Sequence, residues 1–369
     1  MWKFKKLEPG EPERDPHEPE FFRLKNPAEA LVREVIQNSL DAKKSGAQTV
    51  SVRFYIGEVE RRNARNYFSS ELEHHLGSCN FLPKDYSRAN RIKFIAIEDF
   101  GTTGLDGATG EDGSRPEKGN NFFDFWWREG MSGKRGREAG RWGLGKTTFH
   151  MASKLRLFFG LTLRQDDSRE LLMGKALLKT HSMNDTRYQY YGYFKPMEDS
   201  KPFEDSNIIH DFKEKFSINR EDNSGLSLVI PMPDDEVTDL AIMRSVIIHY
   251  FYAIMKGVLE VEIVTSSGIQ EHLTADSIVN RARTLEWDGT SWEAVNVSEL
   301  LQFIRDSMHI TDTNKLVITE GMSEITENSF GNRLETLRSA FSAGNILSFR
   351  VPVTIKKIIK SLEDLSEED

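Results

Sequence analysis

Glu34, Asn38 and Asp41 are separated by steps of four and three residues. On a helix such steps bring side chains onto one face. A carboxylate can take a proton from water, and a carboxamide oxygen is a hard ligand for Mg²⁺ that adds no charge. Together these groups suit metal-assisted hydrolysis of a triphosphate such as ATP. Short polar patterns also recur by chance on surface helices, so the segment needs partners elsewhere in the chain.

The element that must carry them is well signalled. Asn26-Pro27-Ala28-Glu29 reads as an N-cap, a proline at the first helical position and an acid in the first turn. Ser45-Gly46 reads as the stop, so the spacing predicts a helix over 27–45. Leu31, Val35 and Leu40, with Ala30 and Ala42, form its apolar side. Alternation then predicts a strand over 48–56, and a second over 91–98 that ends at Asp99. The polar stretch 57–90 between them reads as an insertion, with a short helix near 71–76. Residues 101–145 hold 12 of the 26 glycines, which marks a long flexible segment of the kind that forms lids. The aromatic run at 122–127 within it reads as a packed helix under that lid, though stacking on nucleic-acid bases is an alternative. A helix starts near Thr147. Strands are predicted at 154–163, 170–180, 187–194 and 225–231, then a long helix at 237–257 and a strand at 258–265.

This order predicts an α+β fold, a two-layer α/β sandwich with a mostly antiparallel sheet and helices on one face. Three segments are expected: an extended arm at 1–20, a main domain at 21–236 with a lid at 101–146, and a smaller α/β domain at 237–369. That last domain has a helix at 297–307 and a strand at 347–355. A net charge of -9 argues against a general nucleic-acid-coating protein and leaves room for a local basic patch. The single cysteine, Cys79, excludes an intrachain disulfide and suits a reducing cytoplasm. No secretory signal or membrane span is visible. His74, His75 and Cys79 lie close together, but no further ligand cluster completes a zinc site.

Four segments form a constellation: Glu34…Asn38…Asp41-Ala42, Asp99-Phe100-Gly101-Thr102-Thr103-Gly104, Gly140-Arg141-Trp142-Gly143-Leu144-Gly145-Lys146, and Gly225-Leu226-Ser227-Leu228-Val229-Ile230. Over residues 20–235 their order and spacing resemble the GHKL ATPase superfamily of gyrase, the large heat-shock chaperone, sensor histidine kinases and MutL-type repair proteins. The resemblance implies a Bergerat-type ATP-binding fold with ATP and Mg²⁺ as ligands. Glu34 would then be the catalytic base and Asn38 the metal ligand, with Asp41 supporting the pocket. Asp99 would accept the adenine amino group, and Gly101 and Gly104 would let backbone pass close to the base. Gly143, Leu144, Gly145, Lys146 and Thr147 would close the lid on the phosphates, and Lys146 would stabilise developing charge. Gly225 and Ser227 would lie beside the adenine. Two departures stand out: Thr102-Thr103 occupies a place where one residue is common, and Leu226 stands where threonine is frequent. Charge supports the lid: residues 128–146 carry six bases against two acids.

The resemblance also implies nucleotide-dependent pairing of two copies, a protein partner or further domain, and, by family habit, genome maintenance or bacterial defence. Nucleic acid is a possible partner. Competing readings remain open. Gly140 to Thr147 fits the P-loop pattern, but residues 131–139 cannot form the buried strand a P-loop leaves. A histidine kinase would need a helical hairpin with an acceptor histidine ahead of this domain. A module that senses nucleotide without hydrolysing it fits the same residues.

Overall fold

The computed structural model describes residues 1–13, 26–84, 86–110, 120–127, 145–196, 201–265, 267–308, 314–315 and 326–350. Two compact units divide at residue 290: Met1–Thr290 and Ser291–Asp369. The boundary expected near 236 therefore falls inside the first unit.

In chain order the first unit contains β1 (Trp2–Lys6), α1 (Pro27–Asp41), β2 (Val50–Glu60), α2 (Ser70–Ser78), β3 (Arg91–Phe100), α3 (Asn121–Trp126) and α4 (Gly145–Met151). Then come β4 (Leu157–Leu163), β5 (Glu170–Leu177), β6 (His181–Met183), β7 (Thr186–Phe194), α5 (Ser206–Lys215) and β8 (Gly225–Pro231). The unit ends with α6 (Asp239–Met255), β9 (Leu259–Val264), β10 (Gln270–Leu273) and α7 (Ile278–Thr284).

Among the described residues, ten strands form one sheet in the order β1-β7-β5-β4-β8-β3-β2-β9-β10, with β6 on β7. Every pair is antiparallel except β2–β9, where Val52 lies opposite Val261. The molecule is thus a mixed α/β protein with a large, mostly antiparallel sheet. The arm expected at 1–20 begins instead as an edge strand. Trp2 and Phe4 alternate inward, and Trp2 lies opposite Phe194 on β7. Residues 14–25 lie outside the described residues.

Strand alternation gives the sheet two apolar faces. On one, Phe94, Ala96, Phe159, Leu161 and Val229 pack with Leu72 and Leu76 of α2 and with Ile209 and Phe212 of α5. On the other, Phe158 meets Trp126 of α3 and Phe149 of α4, and α1 packs on α4 and α6. Helices therefore cover both faces, where one helical layer was expected. The second layer comes from the 57–90 insertion and from α5, whose period the sequence reading missed.

Helix α1 starts where its N-cap predicts. Asn26 Oδ1 accepts from the Glu29 amide at 3.0 Å. Leu31, Val32, Val35, Ile36 and Ser39 make its buried face. Each of the four apolar side chains stabilises by about 2 kcal/mol. The helix stops a turn before Ser45 because the chain pairs with the segment after β3: the Lys44 amide donates to Gly101 O, and the Thr103 amide to Ala42 O, both at 3.0 Å.

The second unit contains α8 (Val297–Met308), β11 (Asn314–Lys315), a 3₁₀ turn at Glu327–Arg333, α9 (Leu334–Ser342) and β12 (Phe349–Arg350). β11 and β12 pair in parallel. The strand expected at 347–355 is described only as far as residue 350. Among the described residues of the whole chain, no helix is long and apolar enough to cross a membrane.

Candidate functional site

Two consecutive carboxylates end β3, and alternation sends them to opposite faces. Asp99 turns toward α1. Its Oδ2 accepts from Ser39 Oγ at 3.2 Å, and its Oδ1 accepts from Thr102 Oγ1 at 2.6 Å and from the Leu226 amide at 2.7 Å. One carboxylate therefore joins the first, second and fourth sequence segments. Asp99 is 8% exposed, so its burial demands these donors. Carboxylate oxygens each carry two acceptor positions, so Oδ2 retains capacity for a further donor such as an amino group.

The glycines serve this convergence. Gly225 has φ +148°, and a Cβ there would lie 2.5 Å from Asp99 O and Oδ1. Gly104 has φ +72°, and its Cβ would meet Leu163 O at 2.5 Å. Both let the chain pack closely on itself; neither needs a ligand to account for it. Thr162 of β4 staples the turn: its Oγ1 accepts from the Leu105 amide at 2.9 Å and donates to Gly225 O at 3.1 Å.

On the opposite face, Glu98 accepts from Arg53 Nη1 at 2.9 Å and from the Asn219 amide at 3.0 Å. Ser227 lies opposite Glu98 in the sheet and donates to Glu98 Oε2 at 3.3 Å. Ser227 is thus turned away from the Asp99 carboxylate and does not take the place of the threonine absent at 226. Arg220 ties the two faces together. It donates to Ser227 Oγ at 3.0 Å, to Asp99 O at 2.6 Å and to Leu226 O at 2.9 Å, and lies 3.8 Å from Asp99 Oδ1. Burial pulls its pKa down, and the charges of Asp99 and Glu98 oppose that. Arg220, Thr162 and Ser39 were missed from the sequence. An apolar strand ending in two adjacent acids was the signal that buried cations and hydroxyls must exist.

Glu34 and Asn38 meet on α1, as their spacing predicts: Asn38 Nδ2 donates to Glu34 Oε1 at 2.8 Å. The donor side of the carboxamide faces Glu34, which turns its Oδ1 away from that carboxylate. Asp41 accepts from Gln37 Nε2 at 3.0 Å. Behind this face, Tyr250 of α6 donates its hydroxyl to Arg33 O at 2.9 Å. Burial raises the Tyr250 pKa to about 12, opposed by Arg33 and helped by Glu34 and Asp41. Gly145, Lys146 and Thr147 open α4, which packs against α1. Gly143 and Leu144 lie outside the described residues, as does most of the lid expected at 101–146.

These residues suit an adenine nucleotide with Mg²⁺. Asp99 is a buried acceptor, and a lone carboxamide oxygen matches an ion that keeps most of its ligands as water and phosphate. Searches against models of known protein families and against curated proteins find no match to this chain.

Proposed function

We propose that this chain binds ATP with Mg²⁺ and hydrolyses it, as a GHKL-type ATPase on a Bergerat-type fold. The observation that carries the proposal is the Asp99 carboxylate, on which Ser39, Thr102 and Leu226 converge from three separate segments. In this reading Asp99 Oδ2 receives the adenine amino group. Glu34 orients a water and accepts its proton, and Asn38 fixes the carboxylate by the 2.8 Å hydrogen bond. Mg²⁺, held by Asn38 Oδ1 and phosphate oxygens, would supply charge neutralisation on the triphosphate. The sequence resemblance assigns Lys146, whose helix α4 packs on α1, to stabilise charge on the phosphates. Pairing of two copies and action on a protein or nucleic acid remain part of the proposal through the sequence resemblance.

The P-loop reading has less support. P-loops leave strands of parallel sheets, and the one parallel pair among the described strands of the large sheet, β2–β9, does not lead into Gly145. The deciding experiment measures phosphate release and binding of a non-hydrolysable ATP analogue for the wild type and Glu34→Ala. Turnover lost by about 100-fold or more with binding retained supports the ATPase. Binding without turnover in either protein leaves only a nucleotide sensor, and absence of binding refutes both.

A further inference from the structure

We propose that a groove at the far end of β2 and β3 binds a ligand bearing several consecutive phosphates. The groove encloses about 980 Å³ and is lined by Arg61, Arg62, Arg65 and Arg91, together with Glu60 and Glu73. With Glu58, the partner of Arg91, counted, four guanidinium groups stand against three carboxylates and leave a local charge of +1 in a chain whose net charge is -9. Such a reversal concentrates polyanions locally.

The arginines are presented in two ways. Arg61 is pre-oriented: Nη2 lies 2.6 Å from Glu73 Oε1, Nη1 donates to Tyr86 O at 3.2 Å, and the guanidinium sits 4.5 Å from the Tyr86 ring centre. A guanidinium held on an aromatic face loses little freedom on binding phosphate. Arg62 and Arg91 are 76% and 61% exposed and pair with Glu60 at 2.7 Å and Glu58 at 3.4 Å. Exposed pairs of this kind contribute under about 1 kcal/mol, so a phosphate can displace them. Arg65 is exposed at the end of the 3₁₀ turn Arg61–Ala64. Ser69 and Ser70, which open α2, also line the groove.

Size and chemistry define the ligand class. A single phosphate would leave most of this volume empty, whereas a phosphate chain could span the arginines of the 61–65 turn and Arg91 at the start of β3. The aromatic lining residue, Phe68, is 3% exposed and offers no stacking platform. The groove therefore reads charge and not bases. Both a nucleic-acid backbone and a free linear polyphosphate carry that chemistry. The site is separate from the nucleotide end of the fold. Arg91 opens β3 and Asp99 stands eight residues later, about 27 Å along the strand.

The test compares the wild type with the Arg62→Glu, Arg65→Glu double variant. Fluorescence anisotropy follows a short labelled DNA duplex between about 50 and about 200 mM salt, and calorimetry follows tripolyphosphate. In the wild type at least one of these ligands binds and weakens with salt. In the double variant that ligand binds about tenfold or more weakly, with a shallower salt dependence, while melting temperature and ATP-analogue binding match the wild type. Duplex binding identifies nucleic acid as the source, and tripolyphosphate binding alone identifies free polyphosphate. Equal binding by the two proteins, or binding of neither ligand by the wild type at low salt, overturns the proposal whatever the fate of the ATPase reading.

Discussion

Replacing Asp99 with asparagine tests the proposed reading of a nucleobase while leaving most of the local hydrogen bonds in place. The carboxamide keeps the carboxylate's shape. Its oxygen can keep the Thr102 hydroxyl and the Leu226 amide, which lie 2.6 and 2.7 Å from Oδ1. Its nitrogen then faces Ser39 Oγ, which can accept from it and give its one proton, shared in the wild type between Asp99 Oδ2 and Val35 O, wholly to Val35 O at 2.9 Å. Arg220 loses a charge 3.8 Å away but keeps its hydrogen bonds to Asp99 O, Leu226 O and Ser227. The stability cost is therefore about 2–3 kcal/mol, at the low end for a broken buried pair. A drop in melting temperature of roughly 4–10 °C follows. The binding cost is separate. A donor facing the adenine amino group removes a charge-assisted hydrogen bond worth about 1.5–3 kcal/mol, or roughly 10- to 150-fold in affinity. The assay is a cycle of two proteins and two ligands by titration calorimetry. The ligands are a non-hydrolysable ATP analogue and the same analogue lacking the 6-amino group. A coupling of about 1.5–3 kcal/mol is expected between residue 99 and the amino group. A coupling below about 0.5 kcal/mol, with the variant folded, refutes the role of Asp99 in reading adenine.

Further outcomes follow from the same geometry. Gly225→Ala forces a Cβ to within 2.5 Å of Asp99 O and Oδ1; overpacking and the positive φ should destabilise by about 2–5 kcal/mol, and an unchanged denaturation midpoint would show that the contact relaxes freely. Tyr250→Phe removes the hydroxyl bonded to Arg33 O. A loss of about 1 kcal/mol in urea denaturation is expected, and no loss would mean the hydroxyl exchanges evenly with water. His75 and His181 form a buried pair with Nδ1 and Nε2 2.7 Å apart. Burial first, then His181 and His74, lowers the His75 pKa to about 4. The unfolded chain binds that proton near pH 6.5, so His75 stabilises fully at neutral pH and progressively less as pH falls from about 6.5 toward about 4. The difference between pH 7.5 and pH 5 should be about 2 kcal/mol. His75→Phe, which keeps a ring against Phe4, should flatten that slope, and equal slopes in the two proteins would exclude His75 as its origin.

Much of the sheet was legible because its strands carry strong alternation. Val50, Val52 and Phe54 are all buried along β2, and β8 begins at the predicted glycine. The N-cap of α1 was legible because its signal is local too. What escaped was set by distant partners. β1 is five residues long, too short for periodicity to stand out, and it is a strand only because β7 offers an edge. The end of α1 lies at Asp41 and not at the expected residue 45 because pairing with Gly101 and Thr103 wins over continuing the helix. The family resemblance placed Ser227, with Gly225, beside the adenine. The register that sets Ser227 against Glu98 puts its hydroxyl on the other face, and nothing local to 225–231 fixes that register.

The pairing of Glu98 with Asp99 explains why the site cannot be separated cleanly from the core. Adjacent residues on a strand must face opposite sides, so a carboxylate turned toward α1 obliges its neighbour to enter the aromatic core. That neighbour is 0% exposed and needs cations, which Arg53 supplies at 2.9 Å. Arg220 answers Asp99 in the same way and links back through Ser227 to Glu98. Each charge is thus compensated by a partner that would be stranded if the other were removed, and stranded buried charges cost several kcal/mol. Truncating any of the four should lower stability along with activity. Substitutions on the solvent-facing pair Glu34–Asn38 report on chemistry most directly, and Asp99→Asn does so only with its stability cost measured alongside. Loss of turnover in Arg220→Ala or Glu98→Ala would accordingly carry no weight as evidence for a catalytic role.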